Sequence, residues 1–286
     1  MQRRTFLHTG AALGVSLLPA VPALAQAPAP KGSTMTPAQT GAARKRVFIT
    51  GSADGLGQLA ARSLQAQGHQ VVVHVRSQAR LTAVRTLVEQ GAIATVGDLS
   101  DLQQIRDLAR QVNEIGRMDA VIHNAGVMSG PHVLVVNTVA PYLLTAWIER
   151  PRRLIYLSSG MHRGGNPDLT RIDWTGARPT GSYSDSKLYV TALAAAVARR
   201  WPEVVSNAVN PGWVPTRMGG PGAPDDLALG HATQEWLAVS EDRQALTSGG
   251  YWHHRQRAEA HPAVHDIHFQ DQLLAALARA TGTTLA

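Results

Sequence analysis

The chain of 286 residues contains no cysteine. This absence excludes disulfide bonds, cysteine nucleophiles and metal sites built on thiolates. It does not indicate a cellular compartment. Nothing in the sequence marks a second folded domain either, because the roughly 260 residues that follow the first 27 are enough for one large α/β domain.

The sequence also lacks a concentrated basic segment. The formal net charge is +7, but lysine and arginine are scattered as singles and pairs, such as Arg152-Arg153 and Arg199-Arg200, without interleaved aromatic residues. We therefore predict no nucleic-acid partner. A surplus of positive charge also suits the binding of a small polyanion, although net charge does not identify a ligand.

Long apolar runs are missing apart from one near the start. Arg3-Arg4 precede a proline-interrupted apolar stretch from about Thr9 to Ala25. This order resembles a twin-arginine signal peptide with cleavage after Ala25 or Ala27, and the stretch is short for a membrane span, so no stable span is predicted. We expect residues 1–27 to be a signal peptide, residues 28–44 a flexible linker and residues 45–286 the folded domain. Export would place the protein in the periplasm, whereas translation from Met35 would leave it in the cytoplasm.

The rest of the chain alternates short β-branched runs with segments of helical periodicity. Helices are predicted after Gly55, over 78–90 and 101–115, near 137–149 and over 183–200. Strands are predicted over Arg46–Thr50, Val71–Val75, Ala92–Val96, Asp119–His123, Arg153–Leu157 and Val204–Ala208. This alternation predicts a single α/β domain, a Rossmann-like doubly wound parallel sheet whose ligands bind at the carboxyl ends of the strands.

A glycine-rich turn follows the first predicted strand. Gly51, Ser52, Gly55, Leu56 and Gly57 lie where the strand gives way to a helix. Glycine lets the backbone approach a pyrophosphate, and the peptide N–H groups at the start of the helix favour bound negative charge. We therefore predict that these residues bind a dinucleotide cofactor.

A tyrosine and a lysine are spaced for joint chemistry. Tyr183 and Lys187 are four residues apart, and Ser159 lies 24 positions before the tyrosine. On a helix, side chains four apart share one face, so the ammonium group would lie near the phenol. A nearby positive charge favours the phenolate, so we expect it to lower the tyrosine pKa toward the range in which protons exchange with an alcohol or carbonyl.

These motifs together resemble the short-chain dehydrogenase/reductase family from about residue 46 to 252. The resemblance implies catalytic roles for Ser159, Tyr183 and Lys187, with the last two also contacting the cofactor, and for Asn137, which completes a tetrad. Only ten residues separate Gly126 from Asn137, fewer than in most relatives. The resemblance also implies cofactor contacts at Asp98-Leu99, Asn124-Ala125-Gly126, Pro211-Gly212 and Thr216, and assembly into a homodimer or homotetramer.

The function implied is an oxidoreductase that transfers hydride between a nicotinamide cofactor and a carbonyl or alcohol substrate. Two alternatives remain open: a dinucleotide-binding sensor without turnover, and an epimerase or dehydratase on the same fold. Retention of Ser159, Tyr183 and Lys187 favours the enzyme over the sensor.

The cofactor is expected to be NADP(H), with NAD(H) as the alternative. The second strand ends in His74-Val75-Arg76 and offers no carboxylate for the ribose hydroxyls of NAD. Arg76 would instead pair with a 2′-phosphate through its planar guanidinium. Asp54 argues against this assignment if its carboxylate points toward the phosphate.

The substrate is the least defined part of the prediction. Residues 160–182 and 218–230 are expected to form a lid whose apolar residues either bind a moderately hydrophobic substrate or fill the core: Met161, Trp174, Trp213, Met218 and Trp236. Histidines from His253 to His268 suggest no metal site, because Pro262 weakens any helix joining His261 to His265. Leu273, Leu274 and Leu277 predict a helix that packs or oligomerises.

Overall fold

The computed structural model describes residues 43–285, which form an α/β fold around one eight-stranded sheet. The strands lie in the order β3-β2-β1-β4-β5-β6-β7-β8, parallel from β3 to β7, with β8 antiparallel to β7. Their bounds are β1 Arg46–Ile49, β2 Gln70–Val75, β3 Ile93–Val96, β4 Ala120–His123, β5 Arg153–Leu157, β6 Val205–Asn210, β7 Tyr251–His253 and β8 Gln256–Arg257. The predicted doubly wound parallel sheet is confirmed, with its switch point between β1 and β4.

The predicted signal peptide and most of the predicted linker lie outside the described residues, so both stay predictions, as does the alternative start at Met35. None of the helices within residues 43–285 has the length and hydropathy that crossing a bilayer requires.

Helices cover both faces of the sheet: α1 Gly55–Ala66, α2 Arg85–Glu89, α3 Leu102–Ile115, α4 Ala140–Trp147, α5 Tyr183–Arg200, α6 Leu227–Val239 and α7 Ile267–Thr281. Alternate side chains of β1 divide between two buried cores, with Val47 and Ile49 on the face of α1 and α6 and Phe48 on the face of α3, α4, α5 and α7. Burial on both faces explains the continuous apolar strands in the sequence.

Several elements differ from the sequence-based expectation. The single helix predicted over 78–90 is a 3₁₀ stretch, Gln78–Val84, followed by the short α2, because the backbone at Val84 leaves helical geometry (φ −112°). The end of the predicted loop 218–230 already belongs to α6. That helix begins where the Asp226 carboxylate accepts hydrogen bonds from the N–H groups of Ala228 and Leu229.

The C-terminal part of the sheet was not predicted. Strands β7 and β8 form a short hairpin whose turn residues His254 and Arg255 adopt positive φ angles of 48° and 61°. Such turns usually contain Asn or Gly, so this one carries no sequence signal. The leucine stripe is part of α7, where Leu273, Leu274 and Leu277 are buried against the chain itself, so these leucines serve packing.

His123 is a buried histidine at the end of β4. Its ring stacks on Tyr156 with 4.7 Å between ring centres, and Nε2 lies 3.2 Å from the Thr145 hydroxyl. Within the described residues its Nδ1 atom has no hydrogen-bond partner. Burial lowers the pKa of His123 to about 3, because the charged imidazolium would lose its hydration.

This burial predicts acid sensitivity. The unfolded chain protonates His123 near pH 6.5 whereas the folded chain resists until about pH 3, so the unfolded state binds more protons and stability falls as pH falls below 6.5. Between pH 6.5 and 4, the free energy of unfolding should fall by about 3 kcal/mol less in His123→Phe, which keeps an aromatic ring, than in the wild-type protein. Urea unfolding across this range measures the difference. The exposed His265→Phe is the control, and equal acid losses in all three proteins would contradict the prediction.

Candidate active site

The glycine turn after β1 closes tightly against the loop after β4. Gly51 has a positive φ of 67°, and a Cβ at this position would lie 2.9 Å from the Ala125 Cα. A Cβ on Gly57 would lie 2.4 Å from the Asn124 side-chain nitrogen and 2.5 Å from the Gly51 oxygen. Only glycine therefore fits at either position, and the turn lies at the switch point of the sheet.

Polar bonds join the same two segments. The Asn124 side-chain amide donates to the Thr50 oxygen at 2.9 Å and the Gly51 oxygen at 3.2 Å, and the Ala125 N–H donates to the Thr50 hydroxyl at 3.0 Å. Asn124 thus fixes the shape of the turn. Its predicted contact with a cofactor, together with those of Ala125 and Gly126, stays a prediction.

Ser52 and His74 hold the turn from the side of β2. The buried Ser52 hydroxyl donates to the Ile49 oxygen and accepts from the His74 N–H, both at 2.8 Å. The His74 ring accepts from the Gly51 N–H through Nδ1 at 3.0 Å, so Nε2 carries the proton that it donates to the Gly97 oxygen at 2.7 Å. Burial lowers the pKa of His74 to about 4, against the opposing effects of Gly97 and Asp98. This role of His74 was not predicted, although a histidine near the end of an apolar strand was a visible signal in the sequence.

The loop after β6 lies across the turn. A Cβ on Gly55 would lie 3.7 Å from the Thr216 methyl group, and Leu56 lies near Gly230 at the start of α6. Gly212 has a positive φ of 84°, which suits the tight path of the Pro211-Gly212 segment. The structure therefore brings the predicted residues Leu56, Pro211, Gly212 and Thr216 to one edge of the sheet, the carboxyl edge.

Helix α5 positions Tyr183 and Lys187. The Ser182 hydroxyl accepts from the Asp185 N–H at 3.1 Å, and the Asp185 carboxylate accepts from the Ser182 N–H at 2.8 Å, a capping box that starts the helix at Tyr183. The Lys187 Nζ atom lies 5.5 Å from the centre of the Tyr183 ring and donates to the Leu157 oxygen at 2.7 Å. The two side chains are neighbours, as the spacing predicted.

The pKa of Tyr183 is raised in the structure and not lowered as expected. Burial raises the pKa of Tyr183, and a hydrogen bond with Ser159 opposes this increase. Burial also lowers the pKa of Lys187, to about 8. The expectation drawn from spacing was wrong in direction, because it counted the attraction between the two groups and not the loss of hydration that both undergo.

Asn137 lies beside Lys187 despite the short segment that precedes it. The chain forms a π-helical turn over Val135–Val139, and the Asn137 side chain exchanges two 2.9 Å hydrogen bonds with the backbone of Val127. A Cβ on Gly126 would lie 3.3 Å from the Asn137 oxygen and 3.4 Å from the Lys187 Nζ atom. Single π turns are frequent at functional sites, and this one directs Asn137 into the site.

Comparisons with known proteins identify the family of the chain. A family model described as short chain dehydrogenase matches residues 45–142. The short-chain dehydrogenase chyC of Penicillium rubens is 36% identical over 254 residues, which cover 84% of this chain and 98% of that protein. The chain belongs to the short-chain dehydrogenase family.

Solved structures share the fold of this short-chain dehydrogenase. The crystal structure of an uncharacterized protein from Mycobacterium paratuberculosis superimposes with a TM-score of 0.71 at 25% identity, covering 85% of this chain and 96% of that one. A short chain dehydrogenase from Shigella flexneri, solved in complex with NADP, superimposes with a TM-score of 0.59 at 21% identity, covering 74% and 97%.

The second strand of this dehydrogenase ends in a cavity of about 490 Å³, lined in part by Arg76, Gln104 and Asp107. The Asp98 carboxylate accepts from the N–H and hydroxyl of Ser100 at 2.9 and 2.7 Å, while Leu99 is buried. Asp54, whose carboxylate raised doubt about a bound phosphate, accepts a 3.0 Å hydrogen bond from Arg80. This pairing offsets its negative charge.

The apolar residues of the predicted lid fall into two groups. Trp174 is buried against Tyr189 in the core, and the half-buried Trp236 packs on Trp252 at the edge of the core. Met161, Trp213 and Met218 are exposed to 50%, 60% and 46% and follow Ser159, Gly212 and Thr216 closely in the chain; we call these three residues the apolar rim.

The histidines near the C-terminus serve local structure. His261 caps a 3₁₀ turn, Pro262–His265, by accepting from the Ala263 N–H at 3.1 Å. Within residues 43–285, the His, Asp and Glu side chains form no group of three or more placed to bind a metal ion.

Proposed function

We propose that this short-chain dehydrogenase interconverts a carbonyl compound and an alcohol with NADP(H), and that Tyr183 is the general acid and base. The observation that carries the proposal is the gathering of Ser159, Tyr183, Lys187 and Asn137 beside the glycine turn, at the edge where this fold binds ligands. A sensor without turnover would have no use for a half-buried tyrosine beside a buried, hydrogen-bonded lysine at this place.

The turn fits a dinucleotide. The Asp54 side chain does not cap α1, and its carboxylate bonds instead to Arg80. The start of α1 therefore has peptide N–H groups of the kind that bind phosphate. When bound, the nicotinamide supplies or accepts the hydride.

In the reductive direction, Tyr183 would donate the phenolic proton to the carbonyl oxygen as the hydride reaches the carbonyl carbon, and solvent would later restore that proton. The Ser159 hydroxyl, which lies close enough to the Tyr183 phenol to oppose the rise of its pKa, would donate a hydrogen bond to the same oxygen and stabilise its growing negative charge. Lys187, with a pKa of about 8, would be mostly protonated at neutral pH and would stabilise the tyrosinate and hold the nicotinamide ribose. Asn137 would order a water in the proton relay.

Removing the phenol tests the assignment of the general acid. Tyr183→Phe keeps the ring but has no proton to give, so we expect turnover to fall by roughly 10²- to 10⁴-fold while the NADPH dissociation constant stays within about twofold. Absorbance of NADPH during ketone reduction and fluorescence titration of NADPH measure the two quantities. The matched control on the same helix is Tyr189→Phe; the Tyr189 hydroxyl bonds to the Asn166 backbone oxygen in the loop before α5. Full activity in Tyr183→Phe would refute the mechanism.

The preference for NADP(H) rests on charge at the end of β2. Arg76 is exposed there, no carboxylate follows β2 directly, and Asp54 is paired with Arg80. The Shigella flexneri dehydrogenase with the same fold was solved with NADP. A guanidinium can pair with a 2′-phosphate through two charge-assisted hydrogen bonds.

Substitution of Arg76 separates the two cofactors. Arg76→Ala should weaken NADPH binding by roughly 10- to 100-fold, the effect of losing a charge-assisted pair of hydrogen bonds, and leave NADH binding nearly unchanged. Dissociation constants from fluorescence titration measure both, with the exposed Arg85→Ala as control. Equal losses for NADPH and NADH would show that Arg76 does not recognise the 2′-phosphate.

The substrate side is defined by the apolar rim. The Trp213 indole donates to the Gly219 oxygen at 2.8 Å, and the Trp213 N–H donates to the Asp225 carboxylate at 2.6 Å. These bonds fix an exposed aromatic surface in the loop after β6. Methionine side chains adapt to irregular apolar shapes. We propose that the rim binds a carbonyl compound carrying an apolar ring system.

A graded set of ketones tests the rim. We expect kcat/KM to rise from cyclohexanone to acetophenone to 2-acetylnaphthalene, as more apolar area is buried. Trp213→Ala should lower the value for 2-acetylnaphthalene about tenfold and that for cyclohexanone much less, since only the larger ketone reaches the indole. The control is Leu246→Ala, an exposed residue near the opposite edge of the sheet. A uniform loss across the three ketones would contradict recognition by the rim.

A further inference from the structure

A buried histidine lies three residues after Ser159 and has no part in the proposed chemistry. His162 is fully buried, and its ring lies against that of Tyr251 with 4.5 Å between ring centres. It belongs to the 3₁₀ turn Gly160–Gly164, which follows β5 and is capped by Ser159. A buried polar ring requires partners for both nitrogens, and both are present.

The hydrogen bonds of His162 determine its protonation. Nε2 lies 3.0 Å from the backbone nitrogen of His261, which can only donate, so Nε2 accepts. The proton must then be on Nδ1, which donates to the Ser159 oxygen at 2.7 Å. Burial lowers the pKa of His162, which keeps the ring neutral and this tautomer in place.

The Ser159 carbonyl is held by a second side chain as well. The Tyr251 hydroxyl donates to the same oxygen at 3.2 Å, and the His162 N–H donates to it at 3.1 Å. On the other side of this peptide, the Gly160 N–H donates to the Asn210 side-chain oxygen at 3.1 Å. The peptide group between Ser159 and Gly160 is therefore held by hydrogen bonds at both its oxygen and its nitrogen.

These bonds extend to the C-terminal part of the chain. Tyr251 lies on β7, His261 lies just before the 3₁₀ turn that precedes α7, and the Arg163 guanidinium donates to the Glu259 oxygen at 2.6 Å. The backbone that carries Ser159 is thus bonded to residues about 90 to 100 positions later in the sequence.

We propose that His162 is a positioning residue for Ser159: its Nδ1–H group, with the Tyr251 hydroxyl, fixes the Ser159 carbonyl and so aims the Ser159 hydroxyl at Tyr183. The proposal rests on the proposed role of Ser159 in carbonyl reduction. His162 touches neither substrate nor cofactor in this account and acts only through the serine.

The test variants remove or retain the hydrogen bonds made by the two ring nitrogens of His162. His162→Phe keeps an aromatic ring against Tyr251 but removes both polar contacts. His162→Asn places an amide N–H close to the position of Nδ1 and retains the donor to Ser159. Tyr251→Phe removes the second donor and leaves the ring. Ser159→Ala gives the reference for complete loss of the hydroxyl, and the exposed His265→Phe is the control.

The first measurement does not depend on any substrate. The ¹³C chemical shift of the Tyr183 Cζ atom, assigned by its disappearance in Tyr183→Phe, responds to hydrogen bonding at the phenolic oxygen. We expect Ser159→Ala to shift this resonance, His162→Phe to shift it in the same direction by at least half as much, and His162→Asn to stay near the wild-type value. Tyr251→Phe should give a smaller shift in that direction, and it tests the proposal if His162→Phe does not fold.

The second measurement is kinetic. With the ketone of the graded set that the wild-type protein reduces fastest, His162→Phe should lower kcat about tenfold and leave KM for NADPH within twofold, while His162→Asn should recover most of the loss. A folded His162→Phe variant with the wild-type Tyr183 resonance would overturn the proposal, and so would an unchanged resonance in Ser159→Ala. If the wild-type protein reduces no ketone, the proposed function fails, whereas the chemical shifts still decide the role of His162.

Discussion

One carboxylate fixes the start of the helix that carries Tyr183 and Lys187. Asp185 accepts from the Ser182 N–H and from the Asn166 N–H, at 2.8 and 2.7 Å, and so fixes both the first residue of α5 and the loop that leads into it. This capping box makes Tyr183 the first residue of α5. The apolar body of α5 is buried in the core and sets the direction in which Tyr183 and Lys187 point.

Buried neutral histidines recur near the carboxyl ends of the strands. His74 on β2, His123 on β4 and His162 after β5 are all almost completely buried, and burial lowers the pKa of each. A neutral imidazole can donate with one nitrogen and accept with the other, so it can join two backbone segments that strand ladders do not reach. His74 joins the first and third strand ends in this way, and His162 joins the serine segment to the C-terminal region. The irregular edge of the sheet is ordered by side chains where the regular backbone pairing ends.

Much of this could be read from the sequence, and what was missed has definite causes. Local periodicity located β5 and α5 at their observed bounds, because strand and helix patterns there agree with the burial the fold imposes. The hairpin of β7 and β8 was not seen, since His254 and Arg255 take a left-handed turn without glycine. The predicted direction of the Tyr183 pKa shift was wrong, because sequence spacing indicates which groups are close together but not how much hydration each group loses on burial. The ring contact of His162 with Tyr251 and its hydrogen bond from His261 join distant parts of the chain, which no local pattern reports.

The π-helical turn at Asn137 places an extra residue inside the helix. A π turn contains one residue more than an α-helical turn, and here that residue lies where the Asn137 side chain bonds to Val127 and Ser186. The helix can lose this extra residue and keep its path. Deleting one residue from Val135–Val139 would let the turn revert to ordinary α-helix with α4 unmoved, whereas a deletion between Gly126 and Leu134 would shorten the loop itself and displace it. The two segments on either side of Leu134 therefore differ in how a change of length would act on the site.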